Sequence, residues 1–285
     1  MRIIESPREG MQGFPRIIPS RDKVRYINAL LRVGFDTVET GSLVSARLIP
    51  QMADSVEVLK QLDLSGTRSN RMFLVVNRKG AEKVSEMDEI THLSYPFAFS
   101  PTFLKLNVNA SVQESYETAA AVTELCEKRG KKAVVYISMA FGNPYGDPWD
   151  QEMLLHWTGR LHQAGAATIM LSNVSVEIGE KMIAEIYNAL IPMFPDIEFG
   201  LHLHTAGEGW YEKVNAAFLA GCRRFDSVTG GLGGCPMAGG ELLGNLGTDH
   251  LLSFAAGRHM PVGIDPLAWE EAKKIGEEIF MNIEY

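Results

Sequence analysis

The chain has 285 residues, 46% of them hydrophobic and 22% charged, which is typical of one globular domain with a large core. Its 35 acidic residues against 27 lysines and arginines give a net charge of -8. This charge argues against a nucleic-acid groove, because neutralising phosphates requires clustered cations. We therefore expect a small-molecule substrate and no nucleic-acid partner.

Short apolar segments alternate with longer amphipathic stretches along the chain. We interpret the short segments as eight strands, at residues 3–5, 37–40, 72–76, 90–94, 133–138, 168–171, 199–202 and 224–228. The clearest helical stretches are residues 22–33, 111–129, 150–164, 175–193 and 210–220, several of them ending at a glycine. Residues 95–106 are rich in proline, phenylalanine and serine, and are predicted to form a long loop.

Eight strand–helix units predict an α/β fold, a (β/α)8 TIM barrel that spans residues 1–285 as a single domain. No linker, low-complexity tract or long charge run divides the sequence. An open doubly wound sheet has the same alternation of elements and is the alternative at this stage.

The cysteines and the N-terminal residues favour a cytoplasmic protein. Cys126, Cys222 and Cys235 are odd in number and lack the spacing of a disulfide framework, which suits a reducing compartment. The first residues do not form a charged leader with an apolar core, and no run of 18 apolar residues occurs. We expect neither secretion nor insertion into a membrane.

Active sites of such barrels lie where the strands end, so polar residues at those positions are candidates. They are Arg8 and Glu9 after strand one, Glu39 at the end of strand two, Ser138 at the end of strand five, Asn173 after strand six, and His202 and His204 at strand seven. A glycine-rich segment, residues 230–236, follows strand eight.

His202 and His204 form the strongest local signal. Residues two apart on a strand point the same way, so the two imidazoles can face one ion. A pair of hydrogen-bonded structural histidines is the alternative. A carboxylate at Glu9 and an amide oxygen at Asn245 would complete a mixed nitrogen and oxygen shell, which suits Mg²⁺ or Mn²⁺ better than a closed zinc site. We predict a divalent-metal site at these four residues.

The glycine-rich segment is predicted to be a mobile loop that closes over the substrate, with a plain turn as the alternative. Cys235 lies at its tip, and an exposed thiol close to a cation can exchange protons because its pKa is readily lowered. Other sulfur-containing and indole side chains are predicted to be packing residues: Cys126, Cys222, Met11, Met52, Met139, Trp210 and Trp269.

Arg8 presents a fixed fork of donors and keeps its charge, so beside a metal it can stabilise an enolate or carboxylate oxygen. A salt bridge between Arg8 and Glu39 is the structural alternative. The two roles are compatible.

Motifs over nearly the whole chain resemble those of one known family. They are Pro-Arg-Glu-Gly-Met-Gln at 7–12, residues 38–45 and 49–54, residues 107–111 with Glu114 and Ser115, Asn-Pro-Tyr at 143–145, His-Leu-His at 202–204, Gly-Leu-Gly-Gly-Cys-Pro at 231–236, and Gly244 with Asn245. The family is that of 3-hydroxy-3-methylglutaryl-CoA lyase, among the metal-dependent lyase barrels. Its members are often dimers or larger homo-oligomers.

The resemblance implies a carbon–carbon lyase that cleaves a 3-hydroxyacyl-CoA through an enolate, by retro-Claisen or aldol chemistry. It implies that Glu9, His202, His204 and Asn245 bind Mg²⁺ or Mn²⁺, and that the catalytic residues are Arg8 at the enolate oxygen, Cys235 at the new carbon–hydrogen bond, Glu39 in an assisting role, and Asn173. Gln12, Ser138 and Asn107 are expected to contact the substrate.

Three departures from the family pattern indicate a divergent member, whose substrate need not be 3-hydroxy-3-methylglutaryl-CoA. Glu9 replaces an aspartate, and Asn173 replaces the aspartate of a Gly-Asp-Thr sequence, which substitutes a neutral amide for a potential base. The interval from Cys235 to Asn245 is one residue longer than in the family.

Two other functions stay open. One is a related condensing enzyme or an aldolase acting on an oxo acid without CoA, although the condensing synthases usually carry an extra C-terminal region and lack the Gly-Gly-Cys-Pro loop. The other is a barrel that binds metal and ligand without catalysis, which the amide at Asn173 motivates.

Overall fold

The computed structural model describes residues 1–174, 177–205, 207, 209–234 and 243–281. Eight parallel strands form a closed barrel in chain order, and the last strand pairs with the first. The strands are β1 Arg2–Glu5, β2 Thr37–Leu43, β3 Asn70–Val75, β4 His92–Ala98, β5 Lys132–Ser138, β6 Thr168–Ser172, β7 Glu198–His202 and β8 Arg224–Ser227. The predicted (β/α)8 barrel is confirmed, and the open doubly wound sheet is excluded.

Helices connect the strands and extend the chain beyond β8. In the described residues they are α1 Pro7–Gln12, α2 Ser20–Val33, α3 Ser55–Lys60, α4 Arg78–Ser85, α5 Pro101–Asn107, α6 Val112–Lys128, α7 Gln151–Gln163, α8 Glu180–Met193, α9 Trp210–Leu219, α10 Thr248–Gly257 and α11 Pro266–Met281. None of these helices combines the length and the apolar character that crossing a bilayer requires.

The prediction of a long loop at residues 95–106 is wrong. Strand β4 continues to Ala98, and α5 begins at Pro101. Pro96 fits in the strand because β3 pairs with β4 only as far as Ser94, so the missing N–H of Pro96 breaks no pairing on that side. The Ser100 side chain caps α5 by accepting a hydrogen bond from the Phe103 amide, and the proline follows at the first helical position.

The barrel interior is packed below the mouth formed by the carboxyl ends of the strands. Ile4, Met72, Val134 and Met170 form one buried apolar cluster in this interior. Gly200 leaves room for it, since a Cβ built there would lie 2.3 Å from the sulfur of Met170. Tyr136 packs against this cluster and is two residues beyond Val134 on the same face of β5, so it begins the polar layer above.

Glu5 is a fully buried carboxylate at the end of β1 that holds both ends of the segment containing the glycine-rich loop. Its Oε1 accepts hydrogen bonds from the backbone amide of Thr229 at 2.8 Å and from the Thr229 hydroxyl at 2.7 Å. Its Oε2 accepts from the hydroxyl of Thr248, the first residue of α10, at 2.5 Å. Burial raises the pKa of Glu5 to about 7, although the bonds from Thr248 and Thr229 act to lower it.

The Glu5→Gln variant should therefore remove a pH dependence of stability. Because the folded pKa lies above the unfolded one, the stability linked to Glu5 is fully present below the unfolded pKa and is lost as pH rises through about 7. An amide keeps the contacts to both threonines. Between pH 5 and pH 8 the unfolding free energy of the variant, measured by urea denaturation, should gain roughly 2 to 3 kcal/mol relative to the parent. Parallel pH profiles would contradict this assignment.

Candidate active site

A cavity of about 780 Å³ opens at the carboxyl ends of the strands. Its polar lining side chains include Arg8, Glu9, Glu39, Tyr136, His202, His204 and Asp226. Most residues predicted from the strand ends therefore lie together in one place, as the barrel geometry requires.

Glu9, His202 and His204 bring three possible metal ligands together. The Nε2 atoms of His202 and His204 are 3.0 Å apart, and Oε2 of Glu9 is 3.4 Å from Nε2 of His202. One ligand atom from each residue lies within 4.8 Å of the others. Oε2 of Glu9 is buried and has no hydrogen-bond partner among the described residues. A cation at this point would satisfy that oxygen, so the donor set fits a divalent ion.

The two histidines lie in different backbone surroundings. His202 is the last residue of β7, whereas His204 lies beyond the strand and forms an isolated antiparallel bridge with Asn245. The bridge places Asn245 beside the histidine pair. The Nδ2 of Asn245 donates to the carbonyl of Leu232 at 2.7 Å, which fixes the orientation of the amide.

Asp226 and Tyr136 complete the surroundings of His202, and neither was predicted from the sequence. Oδ2 of Asp226 accepts hydrogen bonds from the hydroxyl of Tyr136 at 2.7 Å and from Nδ1 of His202 at 2.8 Å. A carboxylate behind a histidine is the usual arrangement at metal sites, because it fixes the ring and leaves the other nitrogen for the ion.

The electrostatics distinguish the two histidines. Burial acts to lower the pKa of His202, but Glu9 and Asp226 outweigh it and raise the pKa to about 10. Burial and the charge of His202 lower the pKa of His204 to about 4. Burial also acts to raise the pKa of Glu9, while Arg8 and His202 outweigh it and hold that pKa well below its usual range. The metal-free site therefore contains one charged and one neutral imidazole.

The Asp226→Asn variant should weaken binding of Mn²⁺ by about ten- to a hundredfold, since outer partners of ligating histidines typically contribute that much. The neutral amide is a weaker acceptor for Nδ1 of His202. Calorimetric titration with Mn²⁺ measures the effect, and Tyr136→Phe, which removes only the other bond to Asp226, is the matched control with a smaller expected loss. An Asp226→Asn variant with parental affinity would show that this carboxylate does not orient a ligand.

Arg8 is fixed by three side chains. It lies on α1, which begins with Pro7, one residue beyond the end of β1. Its Nε and Nη2 donate to the two oxygens of Glu39 at 3.0 and 2.9 Å, Nη1 donates to Oε1 of Gln12 at 3.0 Å, and Nη2 is 3.1 Å from Oε1 of Glu9. The salt bridge between Arg8 and Glu39 is thus present, at a site where Arg8 also contacts a metal-ligand candidate.

Glu39 does not end its strand, contrary to the sequence prediction. Strand β2 continues to Leu43, with a register shift against β3 between Glu39 and Gly41. Gly41 permits close packing there, because a Cβ would lie 2.9 Å from the ring of Phe73. Burial raises the pKa of Glu39, and the charge of Arg8 opposes that rise.

The remaining predicted residues occupy different surroundings. Gln12, Ser138 and Asn107 line the cavity. Asn173 is fully buried after β6, where its Oδ1 accepts from the backbone amide of His204 at 2.8 Å and its Nδ2 donates to the His204 carbonyl at 2.7 Å. Cys235 lies outside the described residues.

The described part of the glycine-rich segment packs against Glu9 and Asn245. Gly233 has a φ of 84°, and a Cβ there would lie 2.5 Å from the backbone oxygen of Glu9 and 3.2 Å from Nδ2 of Asn245. Only glycine combines this conformation with so close an approach. The glycine-rich segment is therefore in close contact with α1 and with Asn245 at Gly233.

The side chains predicted to be packing residues do pack in the fold. Met11, Met52, Met139, Cys126, Cys222 and Trp269 are buried, and Trp210 stacks on His250 with ring centroids 4.4 Å apart. These residues need no functional explanation.

Comparison with known proteins identifies the family. Residues 2–273 match the family model described as HMGL-like. The chain belongs to the HMGL-like family. The resemblance inferred from the sequence motifs is confirmed.

Individual relatives match over most of their length. The chain is 30% identical to the hydroxymethylglutaryl-CoA lyase of Pseudomonas mevalonii, covering 91% of this chain and 85% of that protein. It is 28% identical to the (R)-citramalyl-CoA lyase of Chloroflexus aurantiacus, covering 91% and 84%. A solved structure of an HMG-CoA lyase from Acinetobacter baumannii, in complex with coenzyme A and 3-methylmalate, aligns with a TM-score of 0.90 at 25% identity, covering 99% of this chain and 91% of that one.

Proposed function

We propose that this HMGL-like protein is a divalent-metal-dependent lyase that breaks the C2–C3 bond of a 3-hydroxyacyl-CoA. The observation that carries the proposal is the convergence of Glu9, His202 and His204 at the mouth of the barrel, directly beside Arg8 and Glu39. The predicted reaction class, carbon–carbon bond cleavage of an acyl-CoA, is confirmed by relatives named as lyases of such substrates.

The metal site consists of Glu9, His202, His204 and Asn245, with Mg²⁺ or Mn²⁺ as the ion. Such an ion supplies positive charge where negative charge develops on the substrate oxygens. Glu9 is one methylene longer than the aspartate of the family pattern. The ion pair of Arg8 with Oε1 of Glu9 leaves Oε2 beside the histidines, 3.4 Å from Nε2 of His202, which supports Glu9 as a ligand despite that difference.

Arg8 stabilises the enolate oxygen. A guanidinium has five N–H donors, and Arg8 directs three of them to Glu39 and Gln12, while its Nη2 also forms an ion pair with Glu9; one donor on Nη1 is left for the substrate. Because Glu39 and Gln12 fix the group, it need not reorganise as charge develops. Gln12, Ser138 and Asn107 contact the substrate from the cavity wall.

Two proton transfers balance the reaction. Glu39 takes the proton of the 3-hydroxyl group, and its raised pKa makes it a stronger acceptor than an exposed carboxylate. The C2–C3 bond then breaks, its electron pair forms the enolate, and the 3-carbon becomes a ketone. Cys235 gives a proton to the enolate carbon, which yields the acyl-CoA product.

The direct test is an assay of the protein after removal of metal by chelation. Acetyl-CoA release from 3-hydroxy-3-methylglutaryl-CoA and from (R)-citramalyl-CoA is measured by mass spectrometry, with and without Mg²⁺ or Mn²⁺. The panel also includes 3-hydroxyacyl-CoA compounds with other substituents at C3. We expect metal-dependent release of acetyl-CoA from at least one member of this panel. Metal and ligand binding without cleavage of any member of the panel would overturn the proposal and favour the non-catalytic barrel. Cytoplasmic location and assembly as a homodimer or larger oligomer stay predictions.

A further inference from the structure

Lys213 is a buried cation that the chemistry above does not use. It is the fourth residue of α9 and is 6% exposed. Its Nζ donates to the hydroxyl of Thr205 at 2.9 Å and forms an ion pair with Glu177. Helix stability does not explain a cation at this position, because the N-terminal end of a helix dipole is positive. A buried ammonium group is costly unless it is paired, so these two contacts hold Lys213 in place.

Thr205 connects Lys213 with two metal-ligand candidates. It is buried and directly follows His204. Its backbone amide donates to the carbonyl of Gly244 at 2.9 Å, and Gly244 directly precedes Asn245. The threonine therefore joins the segment that carries His204 to the segment that carries Asn245, while Lys213 holds its side chain.

Glu177 adds the segment after β6 to this arrangement. It lies between β6 and α8, and its side chain is 27 to 50% exposed at most, half in solvent. Asn173, also after β6, holds the backbone of His204 by two hydrogen bonds. Lys213 thus connects the segments after β6 and β7 at Thr205, one residue beyond the contact made by Asn173. Because these residues lie beyond the last residue of β7, side-chain contacts take the place of regular strand pairing.

We propose that Lys213 is a positioning residue for the metal ion: it fixes Thr205, and through Thr205 it fixes His204 relative to Asn245. This inference rests on the metal site of the proposed function. Partners behind metal ligands contribute to affinity because they hold the ligands in position before the ion binds.

The test is calorimetric titration of the metal-free protein with Mn²⁺. Thr205→Val removes the hydroxyl that accepts from Lys213 and keeps the backbone amide and the ion pair with Glu177. It should bind Mn²⁺ about tenfold more weakly than the parent, the lower end of the usual effect of such partners. Lys213→Met, which keeps the length of the side chain, should show a similar loss. The variant with both changes should also lose about tenfold, because the two changes break the same hydrogen bond.

The direction of the effect separates positioning from simple electrostatics. Removing the positive charge of Lys213 makes the surroundings of the site more negative, so charge alone predicts tighter binding of Mn²⁺ by Lys213→Met. Positioning predicts weaker binding. Thr205→Val changes no charge, and it decides the question even if Lys213→Met does not fold.

Lys23 on α2 provides the matched control. It is 3% exposed, and its Nζ donates to the carbonyl of Gln51 and pairs with Asp54. Lys23→Met should therefore lose stability to urea as Lys213→Met does. It should keep the Mn²⁺ affinity of the parent, because Gln51 and Asp54 follow β2 and adjoin no metal-ligand candidate in the chain.

Each other outcome overturns the inference. Parental Mn²⁺ affinity of Thr205→Val, or tighter binding by Lys213→Met, would remove Lys213 from the metal site. An equal loss in Lys23→Met would reduce the effect to the loss of any buried ion pair, and additive losses in the double variant would show that Lys213 does not act through Thr205. A parent protein that binds no Mn²⁺ would sink the proposed function as well, whereas variants that bind Mn²⁺ as well as a binding-competent parent would sink only this inference.

Discussion

The His204→Ala variant is expected to bind Mn²⁺ more than about a hundredfold more weakly than the parent and to lose measurable lyase turnover. His204 supplies one of the three ligand atoms that converge at the mouth of the barrel. Replacing even a partner behind such a ligand typically costs ten- to a hundredfold in affinity, so removal of the ligand itself costs more. Turnover follows the metal, because Arg8 alone then remains to stabilise the charge that develops on the substrate.

Replacement of His204 is easier to interpret than replacement of His202, because it changes the charge of the site less. Its pKa, lowered to about 4, makes its ring neutral near pH 7, so removing it leaves no unbalanced charge in the metal-free protein. His202 is charged and lies between Glu9 and Asp226. Its removal leaves two buried carboxylates without that cation, so His202→Ala should lose metal affinity and should also melt at a lower temperature in chelator.

Calorimetry with Mn²⁺ measures the affinities, and melting temperatures in chelator separate loss of metal from loss of fold. His162→Ala, a histidine replacement on α7 outside the cavity, is the control and should match the parent in both measurements. If the His202→Ala/His204→Ala variant bound Mn²⁺ as well as the parent, the metal assignment would be wrong.

The barrel could be predicted because its strands are buried and read as short apolar runs. The predicted limits at residues 168–171 and 133–138 differ by only one residue from those of β6 and β5. The larger errors have local causes. Strand β2 passes through a register shift at Glu39 and Gly41, and β4 passes through Pro96, and both features resemble strand ends in a sequence.

The residues of the candidate active site could be predicted where they lie at the ends of strands. Arg8, Glu9, His202 and His204 follow that rule. Tyr136 and Asp226 lie within β5 and β8, and the sequence shows which strands they occupy without showing which partners face them across the barrel. A signal was nevertheless present, because an aspartate inside a fully buried strand requires a partner.

Asn173 shows most clearly what contacts add to a sequence comparison. From the sequence, its amide replaces a potential base. In the structure, the same amide forms two hydrogen bonds with the backbone of His204, accepting from its N–H and donating to its carbonyl. His204 lies beyond the end of β7, so these two bonds hold a metal-ligand candidate where the regular strand no longer does. We therefore interpret Asn173 as a residue that positions His204.

The Asn173→Asp variant is expected to be less stable, to bind Mn²⁺ more weakly and to turn over its native substrate more slowly. An ionised carboxylate cannot donate to the His204 carbonyl, which is 2.7 Å away, so two acceptors would face each other at a fully buried position. Leaving such a group unsatisfied typically costs about 1 to 3 kcal/mol. Urea denaturation, Mn²⁺ calorimetry and steady-state kinetics measure the three effects.

A matched control exists in Asn143, whose amide also donates to one backbone carbonyl and accepts from backbone amides, in the loop after β5. Asn143→Asp should lose stability for the same reason and keep the metal affinity of the parent. If Mn²⁺ affinity drops in Asn173→Asp and not in Asn143→Asp, the drop shows that His204 has been displaced. A general effect of placing a carboxylate next to a backbone carbonyl would appear in both variants.

The alternative, that Asn173 is the remnant of a catalytic base, predicts the opposite sign for one measurement. Restoring a carboxylate should then increase cleavage of 3-hydroxy-3-methylglutaryl-CoA by roughly a hundredfold to ten-thousandfold, the usual contribution of one general base. We expect no increase, because both polar atoms of the amide already bond to His204 and a carboxylate there would disturb the ligand before it could reach a substrate hydroxyl. A large gain in that activity, with unchanged Mn²⁺ affinity, would show that position 173 acts on the substrate and that its contacts with His204 are incidental.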